Sequence, residues 1–435
     1  AGFVLLTALL LLAACGRNAA VPATLVPTVE PVPPGHIVTI GPDGNVHVML
    51  PDGSGQIDIT KDARSLEAAS ELPQTYLLPT WAPSGDKLTY GSIAGSVSGP
   101  RQVQVEVANA DGSGHRVVFE SETETPIYLS WDPSGDKVGV LTSGSAGSPL
   151  GLWIAESGRS TLVDRGQPYY WDWSDGGQFI VAHVGGSASA NPMGARLSTI
   201  TASDGDRLDW SLQPSAFQAP AGRPNADSAV VASVKPEGGA ELLLVGPNGE
   251  VQQRLAPVTG TVAMDWSPDG QQLAYVEQLG APHEGFGRLT ILRLNDSPLA
   301  RPVPTGLDLV VAFDWSPAGD RLAALVPRVV AKGGQQSVAN RSLQADLQFE
   351  LYIVQADTGE PALLTVFQPT DAFLEMLPFY DQYQRASTMW SPDGKFLTFS
   401  GRRADGTDGV YVLEATAGST ASIIADGEIA YWSFK

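Results

Sequence analysis

One short pattern recurs along the chain, and a regular recurrence constrains the fold more tightly than any other feature of a sequence. It reads Trp81-Ala-Pro-Ser-Gly-Asp, Trp131-Asp-Pro-Ser-Gly-Asp, Trp173-Ser-Asp-Gly-Gly, Trp266-Ser-Pro-Asp-Gly, Trp315-Ser-Pro-Ala-Gly-Asp and Trp390-Ser-Pro-Asp-Gly. A weaker copy stands at Phe217-Gln-Ala-Pro-Ala-Gly, and a truncated one, Trp432-Ser-Phe, lies near the last residue. Positions 81, 131, 173, 217, 266, 315, 390 and 432 are separated by 50, 42, 44, 49, 49, 75 and 42 residues. Apart from the 75-residue interval, these spacings match the length of a four-stranded propeller blade.

Each interval has the same internal order. The tryptophan strand meets a Pro-Asp-Gly or Ser-Gly-Asp turn, and an alternating apolar strand follows, such as residues 88–90 or 273–276. A further strand comes next, such as residues 410–413 or 351–354, then another turn and a fourth strand. Asp-Gly between alternating runs is a strong hairpin signal, because glycine accepts positive φ and aspartate bonds the turn backbone. The repeated aspartates of these turns are therefore read as turn residues. With 47 glycines, 33 prolines and 17% charged residues, the composition favours short strands over long helices.

The two ends of the repeat region complete each other. Residues 37–40, 46–50 and 56–59 form three strand-like runs without a tryptophan motif, whereas residues 428–435 hold one tryptophan strand. Joined, they make one blade, which closes the ring and removes its exposed sheet edges. The expected fold is all-β: a single β-propeller over residues 36–435, built of four-stranded antiparallel blades. There are eight blades, or seven if the Phe217 copy is not one.

The Trp-Ser-Pro-Asp-Gly signature resembles the repeat of TolB-like propellers and of the N-terminal propellers of prolyl oligopeptidase-like peptidases. The resemblance covers residues 36–435 and implies fold more than function. The peptidases carry their Ser-Asp-His machinery on a separate hydrolase domain, so peptidase activity is not expected of the repeats themselves. No Gly-x-Ser-x-Gly elbow is present, since Gly95-Ser-Val-Ser-Gly99 has valine at its centre. Zincin, phosphate-loop and EF-hand patterns are also absent. The five histidines, His36, His47, His115, His183 and His283, are scattered, with only His36 and His47 sharing a blade. No catalytic residue, metal ligand or cofactor is expected. The alternative is a lyase or glycosidase using channel carboxylates with a divalent cation.

If the tryptophan strand is innermost, the short Asp-Gly turns share one face and the longer connections share the other. Those longer loops are residues 91–100, 142–150, 185–194 and 278–287, with insertions at 327–348 and 368–388. Long loops on a rigid scaffold are where recognition usually resides. The 368–388 insertion is unusually apolar, with Phe373, Met376, Phe379, Tyr380 and Tyr383. Two readings stand: an aromatic contact surface for a partner, or a segment that folds back and plugs the propeller mouth. Tyr169, Tyr170 and Trp171 begin another tryptophan strand on that face, as packing residues or as a binding platform. Asp172, Asp265 and Asp314 each precede a repeat tryptophan, and alternation turns them toward the central channel. They would either line it with negative charge, attracting a cation or a basic peptide, or bond backbone within their own blades.

Residues 3–14 form an apolar run too short to span a bilayer as a helix but suited to a signal peptide. It ends in Leu12-Ala-Ala-Cys15-Gly, which resembles the lipobox of bacterial lipoproteins. The resemblance implies cleavage after residue 14 and acylation of Cys15, a stable anchor when two or three chains are attached. The sequence begins at Ala1 without an initiator methionine, so the start of the gene is expected upstream. Residues 15–35, with five prolines, read as an extended tether. Cys15 is the sole cysteine, so no internal disulfide can form. The formal charge of −21 disfavours nucleic acid as a partner. Together these features describe a non-enzymatic binding lipoprotein of the bacterial envelope, in the outer membrane or the outer leaflet of the cytoplasmic membrane. It would meet a protein or glycan through its long-loop face.

Overall fold

Alternating strands between tight turns assemble into eight antiparallel sheets. The computed structural model describes residues 32–64, 73–95, 101–188, 190–191, 194–215, 219–278, 287–294, 300–329 and 347–435. Cys15, Phe217 and the whole apolar run lie outside them, as does the tether up to residue 31. Pro33–Lys435 forms one compact unit: an eight-bladed β-propeller.

Blade 1 is assembled from both ends of the repeat region. β1 (Ile37–Ile40), β2 (Val46–Met49) and β3 (Ile57–Asp58) are joined by the late strand Tyr431–Trp432, with Ile37 opposite Trp432 and Val38 opposite Tyr431. The closure expected from the sequence is observed. Blades 2 to 7 each have four consecutive strands, beginning respectively with Gln74–Trp81, Thr125–Trp131, Tyr169–Trp173, Ala221–Gly222, Val262–Trp266 and Ala312–Trp315. Blade 8 has three strands, Phe396–Arg402, Asp408–Glu414 and Ser422–Asp426, and its inner position is reduced to two isolated bridges, Pro369 with Gly401 and Trp390 with Leu397.

The tryptophans are innermost and join neighbouring blades. The indole N–H of Trp81 donates to the Tyr431 carbonyl at 3.2 Å, and that of Trp131 to Thr80 at 3.1 Å. Trp266 reaches Ala221 at 3.1 Å, Trp315 reaches Asp265 at 3.2 Å and Trp390 reaches Asp314 at 3.1 Å. In every case the acceptor immediately precedes the anchor position of the blade before. Burying the indole removes a large apolar surface from water, and the polar N–H is satisfied in the same step.

The turn that follows each anchor corrects the placement of blade 5. A backbone hydrogen bond closes this turn from Ala82 to Lys87, Asp132 to Lys137, Ser174 to Phe179, Ser267 to Gln272, Ser316 to Arg321 and Ser391 to Phe396. The same bond runs from Arg223 to Ser228 at 2.8 Å. The anchor of blade 5 is therefore Gly222, five residues beyond the expected Phe217. Glycine is required there, because a Cβ would stand 2.2 Å from the Trp173 carbonyl oxygen of blade 4. Without an aromatic signature the position is invisible in the sequence pattern.

The insertion of blade 7 is also shorter than the expected 327–348. Residues 327–329 pair with 347–349 and extend the strands Arg321–Val329 and Leu347–Gln355.

Candidate functional site

The second insertion, residues 368–388, is where the two faces of the ring become unequal. Thr370 caps a short helix, α1 (Asp371–Met376), its hydroxyl accepting from the Phe373 amide, with Asp371 in the first turn. A 3-10 turn (Leu377–Phe379) and a second short helix, α2 (Tyr380–Tyr383), follow. A threonine cap followed by an acidic residue is a helix signal that the sequence reading passed over.

This segment folds back onto the inner strands and fills the channel. The Gln382 amide acts as a substitute strand: its Oε1 accepts from the Trp171 N–H at 2.9 Å and its Nε2 donates to the Trp171 carbonyl at 2.8 Å. The Tyr383 hydroxyl donates to the Ile127 carbonyl of blade 3, and Asp381 accepts from the Ala219 amide at 2.9 Å. Arg385 donates to the Met264 carbonyl at 2.7 Å and to Asp172 at 2.8 Å, and lies 3.6 Å from Asp265. Asp314 accepts from the Thr388 hydroxyl at 2.9 Å and from the Met389 amide at 2.8 Å.

The three channel aspartates thus converge on one side of the plug, and the cation facing Asp172 and Asp265 is Arg385 of the chain itself. The backbone bonds of Asp172 and Asp314 reach beyond their own blades, whereas that of Asp265 stays with Trp266 in its own. Asp172 accepts from its neighbour Trp173 and also from Gly222 of blade 5 at 2.8 Å. Burial disfavours the charged forms. It pushes Asp265 up to about 6, Asp381 to about 6 and Asp314 to about 7, and it raises Asp172 despite the opposing pull of Arg385. Arg385 shows the reverse balance: burial works against its charge, but Asp172 and Asp265 hold its pKa above the ordinary value.

Between the plug and the inner strands of blades 1 to 4 lies an apolar cleft of about 570 Å³ on the long-loop face. Of the residues singled out in the sequence, Met376, Phe379, Tyr383, Tyr169 and Tyr170 line it. Phe379 is 51% exposed. Trp171 is fully buried, with its ring against Gly139 of blade 3. Phe373 and Tyr380 turn inward, packing on each other and on the blade 7 and 8 core. The sequence reading missed Tyr76, Glu375 and Glu428 as cleft residues, and missed Gln382 and Arg385 as plug contacts. Arg385 alone left a trace, being the one basic residue of the 368–388 insertion.

Other chemistry-bearing groups are taken up locally. His47 sits between Asp43 and Asp58, His115 meets the Tyr90 hydroxyl and His183 is buried; His283 lies outside the described residues. Among the described residues no group of three or more histidines, cysteines and carboxylates is placed to hold a metal ion.

The fold and this plugged channel define a class: an eight-bladed propeller whose mouth is closed by its own insertion. No family model matches the sequence, and no curated protein is found similar to it. Solved structures that resemble it include TolB from Acinetobacter baumannii, at 12% identity over 81% of this chain and 82% of that one, with a TM-score of 0.38. An oligogalacturonate lyase in complex with manganese is similar at 14% identity over 90% and 97%, with a TM-score of 0.49. The β-propeller domain of the Trilobed protease from Pyrococcus furiosus is similar at 10% identity over 82% and 97%, with a TM-score of 0.44. These similarities carry no function over to the chain.

Proposed function

We propose that this chain is a non-enzymatic binding propeller of the bacterial envelope, tethered through an acylated Cys15, that recognises a protein or glycan partner on its long-loop face. The cleft beside the plug carries the reading: it is concave, largely apolar and within the size range of ligand sites. The channel carboxylates, which a lyase or glycosidase would need free, are already bound to Arg385, Thr388 and backbone amides. None of the described histidines joins them.

The chain joins the ring on the turn face. Trp432 donates to the Pro34 carbonyl at 2.8 Å, and a Cβ on Gly35 would lie 3.0 Å from Pro392 of a tryptophan turn. The cleft is on the face opposite residues 34–35.

A photo-crosslinking residue at Phe379, compared with one at Ser134 on the turn face, tests the reading in native membranes. Discrete adducts from position 379 alone are expected. Adducts from position 134 alone, or identical sets from both, would overturn it. Cys15→Ser is expected to release the protein from the membrane fraction, and retention there would refute the anchor.

A further inference from the structure

We infer that the cleft selects a cationic, apolar peptide segment: a lysine or arginine of a partner polypeptide flanked by apolar side chains. This rests on the reading of the cleft as the recognition surface. It follows from which polar groups of the walls are spent and which are left.

The tyrosine hydroxyls around the cleft are largely committed. Tyr76 donates to Asp62, Tyr169 donates to Asp164 at 2.9 Å and Tyr383 donates to the Ile127 carbonyl. The Gln382 amide is bound on both sides to Trp171. A glycan needs a dense set of free donors and acceptors, and these walls offer it mainly ring faces.

Two carboxylates remain. Glu375 on α1 and Glu428 before the closing strand both line the cleft, and neither has an ion-pair or hydrogen-bond partner for its carboxylate among the described residues. Arg402, the cation of this neighbourhood, is paired with Asp371 at 2.9 Å and Asp408 at 3.2 Å. Burial, with Asp408, Asp371 and Glu375 around it, raises the pKa of Glu428. An ammonium or guanidinium group entering the cleft relieves the repulsion and meets the faces of Tyr170, Phe379 and Tyr383. An anionic acyl chain gains the apolar contact but adds to the repulsion. The formal charge of −21 also favours encounter with a basic segment.

The test uses the full chain and fluorescein-labelled Phe-Lys-Leu-Lys-Phe peptides with blocked ends. A neutral isostere carries norleucine at both lysines, and an acidic version carries glutamate there. In anisotropy titrations at low salt the basic peptide is expected to bind about tenfold more tightly than the neutral one, and the acidic one more weakly than either. The double variant Glu375→Gln/Glu428→Gln should bring the basic and neutral peptides within about twofold. Asp111→Asn/Asp204→Asn, which removes the same charge from exposed turns elsewhere, should preserve the gap. Thermal melts of each variant establish that it is folded.

Equal affinity for basic and neutral peptides, both abolished by Phe379→Asp, would overturn charge selection while leaving the cleft as a binding surface. Basic-peptide binding that survives both Phe379→Asp and the double glutamine variant would place it outside the cleft and overturn the inference. So would the absence of saturable binding by any of the three peptides. If the crosslinks from position 379 disappear altogether, the reading of the surface itself fails, which separates the two results.

Discussion

The joints between blades are made in two ways. At joints 1/2, 2/3, 5/6, 6/7 and 7/8 an indole N–H crosses to the preceding blade, so each blade carries its own fastening. At joint 8/1 the Trp432 indole N–H turns instead to the Pro34 carbonyl, and at joints 3/4 and 4/5 no indole N–H crosses among the described residues. The Trp173 indole N–H finds no acceptor among the described residues, and Gly222 has no side chain to offer. Those are the joints where the insertion docks, through Tyr383 to Ile127, Gln382 to Trp171, Asp381 to Ala219 and Arg385 to Asp172. A repeat motif fastens neighbours locally, whereas the unfastened sector is held from a distant point in the chain. The cleft lies on that sector's side of the plug, beside blades 1 to 4.

The largest effect should come from removing the centre of this clamp. Arg385→Met leaves Asp172 and Asp265 buried without their counter-ion and is expected to cost about 3–5 kcal/mol. Hydrogen exchange should accelerate first in the inner strands of blades 4 to 6. A loss under about 1 kcal/mol in denaturant titration would show that the plug does not hold the ring.

Gly222→Ala comes next, at about 1–3 kcal/mol, since its Cβ must displace the Trp173 backbone. A neutral melt would mean that joint 4/5 is not closely packed. The indole fastening itself is sharpened by a pair: Trp266→Phe strands the Ala221 carbonyl and should cost about 1–2 kcal/mol more than Trp173→Phe, which breaks no such bond. Equal losses would remove the distinction between the two kinds of joint.

The smallest effect is on pH dependence. Asp265, Asp314 and Asp381 have folded pKa values raised above the unfolded value, so the folded state binds more protons between about pH 4 and 7. Their contribution to stability is therefore greatest at the acid end of that window and is lost as pH rises through about 6 to 7. Asp314→Asn should reduce the slope of stability between pH 5 and 6.5 by about one proton. An unchanged slope would show that Asp314 does not titrate there.

The sequence made the architecture legible because its signals are local. The Trp-Ser-Pro-Asp-Gly turn fixes where an inner strand ends, Asp-Gly fixes the hairpins, and alternation fixes which residues face the channel. The strands at 37–40 and 46–49 and the pairing of the first with Trp432 follow from such signals. Gly222 was missed because a glycine chosen for close backbone approach carries no pattern of its own. Glu428 was missed because its neighbourhood combines α1, blade 8 and the closing strand, which are far apart in the chain.

What the sequence determined by itself is therefore the ring, its blades and its closure, together with the presence of an apolar, aromatic insertion on one face. It left open whether that insertion folds inward onto the channel, and the tertiary structure decided this. The choice depends on whether Gln382 and Arg385 can meet Trp171 and Asp172, contacts spanning more than 200 residues. Short-range rules of turns and alternation do not encode such pairings. Folding makes them, because channel carboxylates taken out of water need donors, and the insertion brings them.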